Sequence, residues 1–175
     1  MANEAQPVYL VQTASDPVVL AIQGRASYLN CAPVSQFFDK MIKQGRKRMI
    51  LDFSRCTGMD STFLGIVTGA AVMARSGEPA GGLTLTGLSP RNLELVRNLG
   101  LSRLVTVDSG QYPVILAPEQ AKVLGSPGQQ DPANAKLILQ AHENLVAADP
   151  ANKEKFQDVL AFLKNQAAKE TPGTK

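Results

Sequence analysis

The chain has 175 residues, of which 44% are hydrophobic and 19% charged, so it can bury a core within one domain and an extension. Its formal net charge is only +3 and 5% of its residues are aromatic, which excludes a basic, base-stacking surface for nucleic acid. Cys31 and Cys56 match no metal-ligand spacing, so we expect two buried thiols in a reducing compartment. The sequence therefore predicts neither a metal site nor a cofactor.

The N-terminal sequence "MANEAQPVYL" lacks both the basic and the apolar region of a signal peptide. The longest nearly apolar run covers residues 63–74 and is too short to cross a lipid bilayer. We therefore expect a cytoplasmic protein without direct membrane insertion.

The first predicted elements are two strands, a helix and a third strand. Residues 8–13 and 17–24 are rich in β-branched residues and predict a hairpin. A helix follows with Asn30 as its N-cap and Gly45 at its end, where a positive φ costs glycine little. Residues 47–53, apolar almost throughout, predict a buried strand. The apolar residues at helical spacing are Val34, Phe37, Phe38, Met41 and Ile42.

A second helix is predicted over residues 61–75, after the loop "SRCTGMDS". It contains Gly65 and Gly69, which have no side chain and permit close approach of another backbone. The apolar residues assigned to one face of this helix are Leu64, Val67, Ala71 and Ala74.

Residues 82–87 predict a further strand, and "SPRNLELVRNLGL" predicts a helix after it. In that helix Ser89 is the N-cap, Pro90 occupies the first turn and Gly100 follows the last turn. Residues 103–107 predict the last strand. The order ββαβαβαβ indicates an α/β domain with helices packed on a central sheet.

Two similar segments end the chain, each opening with Asp-Pro, and they are 18 residues apart. Asp131 and Asp149 are predicted as N-caps with proline in the first turn, which indicates a helical hairpin. The predicted divisions are a domain over 1–116, a linker over 117–131, the hairpin over 132–168 and a disordered tail over 169–175.

The sequence "MDST" at the start of the second helix has two interpretations. Asp60 can be a simple N-cap, with Ser61 and Thr62 in the first turn, because acids and hydroxyls are common there. Alternatively, Ser61 is a phosphorylation site, since a helix N-terminus tolerates an anion. A phosphoryl group there would leave the fold intact and present charge and bulk to a bound partner.

The sequence does not indicate an enzyme. A hydrolase using Ser61 would need a base and an orienting acid, and His142, the single histidine, is distant in sequence. We expect His142 to be a surface residue or to pack within the hairpin. Arg25, Arg55 and Arg75 are equivalent candidates to pair with a phosphate.

Three segments resemble the STAS domain, which is shared by bacterial anti-sigma factor antagonists and the cytosolic domains of sulfate transporters. "MILDFSRCTGMDSTFLGIVTGAAVMAR" is similar to the central motif of that family, in which "MDSSGLGVL" leads into a helix. "GLSPRNLELVRNLGLSRLVTV" resembles the later helix, and "VVLAIQGRAS" lies where the family has a strand. The resemblance covers roughly residues 8–108.

The resemblance implies an α/β, STAS-like domain with a mixed sheet of four to five strands, to which this chain adds a C-terminal α-helical hairpin. It also implies a phosphorylation-controlled switch that binds an anti-sigma factor or a histidine-kinase-like switch kinase, with a cognate phosphatase. The phosphate acceptor would be Ser61, or as the second choice Thr62. The residues implied to form the switch loop and partner surface are Arg55, Gly58, Met59, Asp60, Thr62 and Phe63.

Two other functions stay open. A non-enzymatic STAS subunit could dock on the ATPase of a membrane transport complex and use the same helix without obligatory phosphorylation. A small-ligand sensor could bind a nucleotide or lipid between the domain and the hairpin. A homodimer is a further alternative to a heterologous partner, because the apolar faces of the hairpin need something to cover them.

Overall fold

The computed structural model of the chain describes residues 8–109, 116–126 and 130–170. Parts of the predicted linker and tail, residues 127–129 and 171–175, lie outside the described residues. Within the described ranges, no helix combines the length and the apolar character needed to cross a lipid bilayer.

A mixed six-stranded sheet in the order β5-β4-β3-β2-β1-β6 forms the centre of the fold. β2, β3, β4 and β5 are parallel neighbours, whereas β1 pairs antiparallel with both β2 and β6. The predicted α/β class is confirmed, with β6 as an edge strand beyond the four to five expected. The strands are β1 Tyr9–Gln12, β2 Val18–Ala26, β3 Arg48–Met59, β4 Gly82–Thr86, β5 Thr106–Asp108 and β6 Lys122–Val123.

Five α-helices surround this sheet within the described residues: α1 Ala32–Lys43, α2 Ser61–Arg75, α3 Pro90–Asn98, α4 Ala135–Ala148 and α5 Asn152–Glu170. α2 is the most buried of them and contacts β3, β4, α1 and α4. Its sequence is apolar on all sides, and a helix of that kind needs neighbours all round. α4, from the C-terminal hairpin, is one of these neighbours.

The third strand is longer than the sequence predicts. β3 continues six residues beyond Phe53, because Arg55–Met59 pair with the second half of β2 after irregularities in the register. Half of the residues that the sequence assigns to a switch loop, Arg55, Gly58 and Met59, are therefore in a strand. The last strand begins three residues later than predicted, because Leu101–Arg103 form a short 3-10 turn and β5 begins at Thr106.

Three predicted N-caps are wrong, for local reasons. α1 is preceded by Cys31, because the Asn30 side chain accepts hydrogen bonds from Ser27 N and Tyr9 Oη. α4 begins after Asn134, whose side chain accepts from Leu137 N, rather than after Asp131. Asp149 accepts from Ala151 N in the turn before α5 instead of capping that helix. The cap predicted at Ser89 is confirmed, since its hydroxyl accepts from Asn92 N.

The C-terminal helices are packed against the rest of the fold. Ala141 and Leu145 of α4 are buried in the same core as the sheet. The Asn152 side chain donates to Leu99 O at 3.0 Å and Leu145 O at 2.8 Å, which joins the turn of the hairpin to the end of α3. Lys155 also donates to Asn98 O. The predicted division into domains stays a prediction.

α4 lies unusually close to α2, and glycine makes this possible. A Cβ atom on Gly65 would overlap the backbone carbonyl of Ala141 and lie 2.7 Å from the Ala141 Cβ. A Cβ on Gly69 would instead meet the end of the Asn144 side chain, which can rotate. The Asn144 amide donates to Gly65 O at 3.2 Å and adds a polar contact across the same interface.

Gly65→Ala is expected to lower the free energy of unfolding by about 1–2 kcal/mol, although alanine favours a helix by about 1 kcal/mol over glycine. The reason is that the new methyl group meets backbone of α4 that cannot rotate away. Gly69→Ala is the matched control and should be close to neutral. Urea unfolding measures both values, and a Gly65→Ala protein as stable as the wild type would contradict the close approach.

Candidate functional site

The junction between β3 and α2 is fixed by Asp60. Its Oδ1 accepts a hydrogen bond from Phe63 N at 2.9 Å, so it is the N-cap of α2 as predicted. Its Oδ2 accepts from Tyr28 N at 2.9 Å, which ties the loop after β2 to the same carboxylate. The backbone N–H of Asp60 donates to Ala26 O at 3.1 Å. One side chain therefore sets the position of the helix start relative to the sheet.

Ser61 follows as the first residue of α2 and is bonded to the hairpin. Its Oγ lies 2.9 Å from Nε2 of His142. The Nδ1 atom of the same ring is 2.8 Å from Ile138 O, a carbonyl that can only accept. In the neutral ring Nδ1 therefore carries the hydrogen, and the Ser61 hydroxyl donates to Nε2. His142 thus covers the hydroxyl that the sequence singles out as a phosphate acceptor.

His142 is the residue of this site that the sequence analysis missed. It is 4% exposed, and its ring lies edge-on to Phe156 of α5 with the centroids 5.0 Å apart. The expectation of a hairpin-packing residue describes the Phe156 contact but not the contact with Ser61. The available signal was its position next to Ala141 and three residues before Leu145, on the buried face of α4.

Three of the residues predicted to contact a partner are directed into the protein. Phe63 is fully buried and lies near Tyr9, with ring centroids 6.2 Å apart, and Thr62 and Met59 are 4% and 7% exposed. Their side chains cannot form a partner surface in this structure, which corrects that part of the prediction. The Thr62 hydroxyl is likewise inaccessible as a phosphate acceptor. Large hydrophobic side chains in the first turn are used here to fill the core.

The remaining predicted residues do lie at the surface near the junction. Arg55 is exposed at the end of β3, and Gly58 and Asp60 are partly exposed. A Cβ on Gly58 would lie 3.4 Å from Nη1 of Arg25, so the Arg25 guanidinium is next to this end of the strand. The structure therefore brings a cation to the same end of the sheet as Ser61 and Asp60.

Ser61, Gly65 and Gly69 recur every four residues and share one face of α2, which we call the Ser61 face. α4 covers all three positions, through His142 at Ser61, Ala141 at Gly65 and Asn144 at Gly69. The arrangement pairs a hydroxyl with an imidazole, but a backbone carbonyl rather than a carboxylate orients the ring. A serine hydrolase would instead have a carboxylate or amide side chain to orient the imidazole.

A groove of about 400 Å³ lies between α1, α2 and α4. Its wall is mainly apolar and includes Ile66, Ala70 and Leu137. Asp39 is the one charged side chain among its described lining residues, so a nucleotide phosphate would meet no cation there. The described lining of the groove therefore has no feature that would favour a nucleotide as the ligand of the predicted sensor.

Replacing Asp60 should cost more stability than replacing an ordinary N-cap. Asp60→Ala removes the cap of α2 and the acceptor for Tyr28 N, so we expect a loss of about 1–3 kcal/mol. Ser89→Ala removes only the cap of α3 and is the control, with an expected loss of about 1 kcal/mol. Urea unfolding measures the free energy of unfolding of the two variants. An equal decrease in both would mean that the bond to Tyr28 contributes little.

Both cysteines are buried thiols beneath this site. Burial raises the pKa of Cys31 to about 12, with a smaller contribution from the charge of Asp60. Burial also raises the pKa of Cys56 above its ordinary value. Each folded thiol therefore keeps its proton at a pH where the unfolded chain has begun to lose it.

The free energy of unfolding should fall as the pH rises above about 9, because the unfolded thiols then release protons that the folded ones retain. Urea unfolding at about pH 8 and pH 10 measures this, and a Cys31→Ala protein should show a smaller decrease. Iodoacetamide should also alkylate the folded protein at least about tenfold more slowly than the protein in urea. Rapid alkylation of the folded chain would contradict the burial.

The family model described as "Mlab, STAS domain" matches residues 9–106 and confirms the resemblance seen in the sequence. The anti-sigma factor antagonist SpoIIAA in its unphosphorylated form is 21% identical, with 59% of this chain and 89% of that chain covered and a TM-score of 0.47. The Bacillus cell fate determinant SpoIIAA in its phosphorylated form is 22% identical, with 58% and 91% covered and a TM-score of 0.46. The family assignment rests on the match over residues 9–106. No curated protein sequence matches the chain.

Proposed function

The chain belongs to the STAS domain family, and on that premise we propose that it is a protein-binding switch controlled by phosphorylation of Ser61. The observation that carries the proposal is the position of Ser61. This residue is partly exposed at the start of α2, next to the N-cap Asp60, where the family motif has its phosphate acceptor. Thr62, the other hydroxyl of "MDST", is buried.

The start of α2 suits an anion without refolding of the domain. Backbone N–H groups in the first turn and the helix dipole both favour negative charge. A phosphoryl group brings close to two negative charges and three acceptor oxygens. The buried side chains of Thr62 and Phe63 hold this turn in place from the other side, so the modification would change the surface and leave the core intact.

The partner we propose is an anti-sigma factor or a histidine-kinase-like switch kinase, as the family resemblance implies. The kinase would supply ATP and the phosphoryl transfer, and a cognate phosphatase would reverse it. In this proposal the chain itself catalyses no reaction and acts in the cytoplasm.

The test is affinity purification from the native cells with wild-type, Ser61→Ala and Ser61→Asp baits, quantified by mass spectrometry. We expect the Asp variant to change the recovery of the switch partner at least about tenfold relative to the Ala variant, because it places a charge in the interface. Ser76→Asp, at the exposed opposite end of α2, is the control and should behave as wild type.

The same cells provide a direct readout of modification. The tryptic peptide Cys56–Arg75 contains both hydroxyls of "MDST", and its phosphate should be on Ser61. Identical partners at identical recovery for all three baits, together with a well-detected peptide that never carries phosphate, would refute the switch.

Docking on the ATPase of a membrane transport complex is the second candidate. The observation in its favour is that Val72 and Met73 of α2 are 50% and 47% exposed and border the apolar groove. Such a contact needs no phosphate. Val72→Glu should then abolish co-purification with membrane ATPase subunits, whereas Ser61→Asp should leave it unchanged.

A further inference from the structure

The Ser61 face is already occupied by a helix of the same chain. α4 covers Ser61, Gly65 and Gly69, the stripe of α2 that begins at the proposed phosphate acceptor. A second protein cannot pack along that stripe while α4 is there, although Ser61 at its end is partly exposed. The face nevertheless has the properties of a helix-binding surface. It has two glycines, a hydroxyl and the Gly65 carbonyl, whose oxygen can accept a second hydrogen bond and accepts one from Asn144.

The contact between α2 and α4 has no room for an added group. The Ala141 backbone touches α2 so closely that not even one Cβ fits at Gly65. Four residues earlier, the His142 ring fills the space over Ser61 and is itself held between Ile138 O and Phe156. A phosphoryl group on Ser61 that points toward α4 would therefore displace the His142 ring.

Phosphorylation also removes the hydrogen bond that joins the two helices at this point. The new Oγ–P bond forms as the bond between the γ-phosphorus of ATP and its bridging oxygen breaks. ADP leaves with that oxygen, and the Oγ proton passes to the kinase. Ser61 then has no hydrogen to donate to Nε2 of His142, so the bond from the hydroxyl to the ring is lost. The added phosphoryl group also needs space beside the His142 ring, which is 4% exposed.

Beyond the Ser61 face, α4 is also held by Leu145, which is buried in the shared core. Asn152 and Lys155 bond the C-terminal end of α3, and Ala133 N donates to Tyr28 O before α4 begins. Most of α5 is exposed, including Phe162 at 62%. Because helices with so much exposed surface contribute few buried apolar contacts, α5 opens at a lower free energy than the core.

We propose that the α4–α5 hairpin is an intramolecular occupant of the Ser61 face and that a phosphoryl group on Ser61 releases it. This inference rests on the proposed function and adds the event that couples modification to binding. The uncovered face would accept a helix that resembles α4, with a small residue opposite Gly65 and an amide or similar donor for Gly65 O. Such a helix would compete with α4 for one surface.

The experiment is hydrogen exchange of the full-length protein carrying phosphoserine at position 61, compared with the unmodified chain. Amides of α4 and α5 should exchange at least about tenfold faster in the phosphorylated protein, because the hairpin leaves α2. Amides of β2, β3 and β4 should keep their protection to within about threefold, which shows that the domain has not unfolded.

Three variants serve as controls in the same measurement. Ser61→Asp should accelerate the same amides by a smaller factor, since it adds one charge and less bulk. Ser61→Ala loses only the hydrogen bond to His142 and should accelerate them by a smaller factor still. Ser89→Asp adds a charge at the exposed start of α3, away from the hydrogen bonds that anchor the hairpin, and should leave α4 and α5 protected. Unchanged or increased protection of α4 and α5 in the phosphoserine protein would overturn the proposal.

The two proposals fail separately. Hydrogen exchange of the isolated protein needs no partner. If the phosphoserine protein releases α4 and α5 but Ser61 never carries phosphate in the native cells, the switch is refuted and the hairpin release stands. If α4 and α5 stay protected in the phosphoserine protein but partner recovery depends on Ser61, the release is refuted and the switch stands.

Discussion

The carboxylate of Asp60 is the interaction on which the site depends. It accepts one hydrogen bond from the first turn of α2 and one from the loop after β2, so it fixes where the helix starts relative to the sheet. From that start, the spacing of four residues places Ser61, Gly65 and Gly69 on one face. If the start of α2 were displaced by one residue, this face would turn by about 100° and α4 would lose its glycines.

The Ser61 face shows how one set of contacts can serve both packing and signalling. Close packing at Gly65 leaves α4 without freedom to adjust, and the bond from Ser61 to His142 places the proposed modification inside that packed contact. Packed interfaces respond to an added group by separating rather than by deforming smoothly. A small chemical change at one hydroxyl can therefore be converted into the movement of a whole hairpin.

Much of the α/β domain follows from local rules that the sequence displays. α2 begins and ends where predicted, because Asp60 supplies the cap and the apolar run supplies the length. α3 has its cap at Ser89 and its left-handed glycine at Gly100 for the same reason. The prediction was wrong where a side chain had a choice of partners: Asn30 bonds the loop around it instead of capping α1. The prediction made β3 too short, because the extension of this strand depends on pairing with β2, which local propensity does not encode.

The sequence by itself determined the family resemblance, the order of strands and helices as far as β5, and the hydroxyl at the start of α2, because caps, periodicity and motif are properties of neighbouring residues. The tertiary structure decided which of the "MDST" side chains face outward, since burial of Phe63 and Thr62 depends on the core they fill. It also decided what lies over Ser61. His142 is 81 residues away along the chain, and only the close packing of α4 on two glycines brings its ring to that hydroxyl.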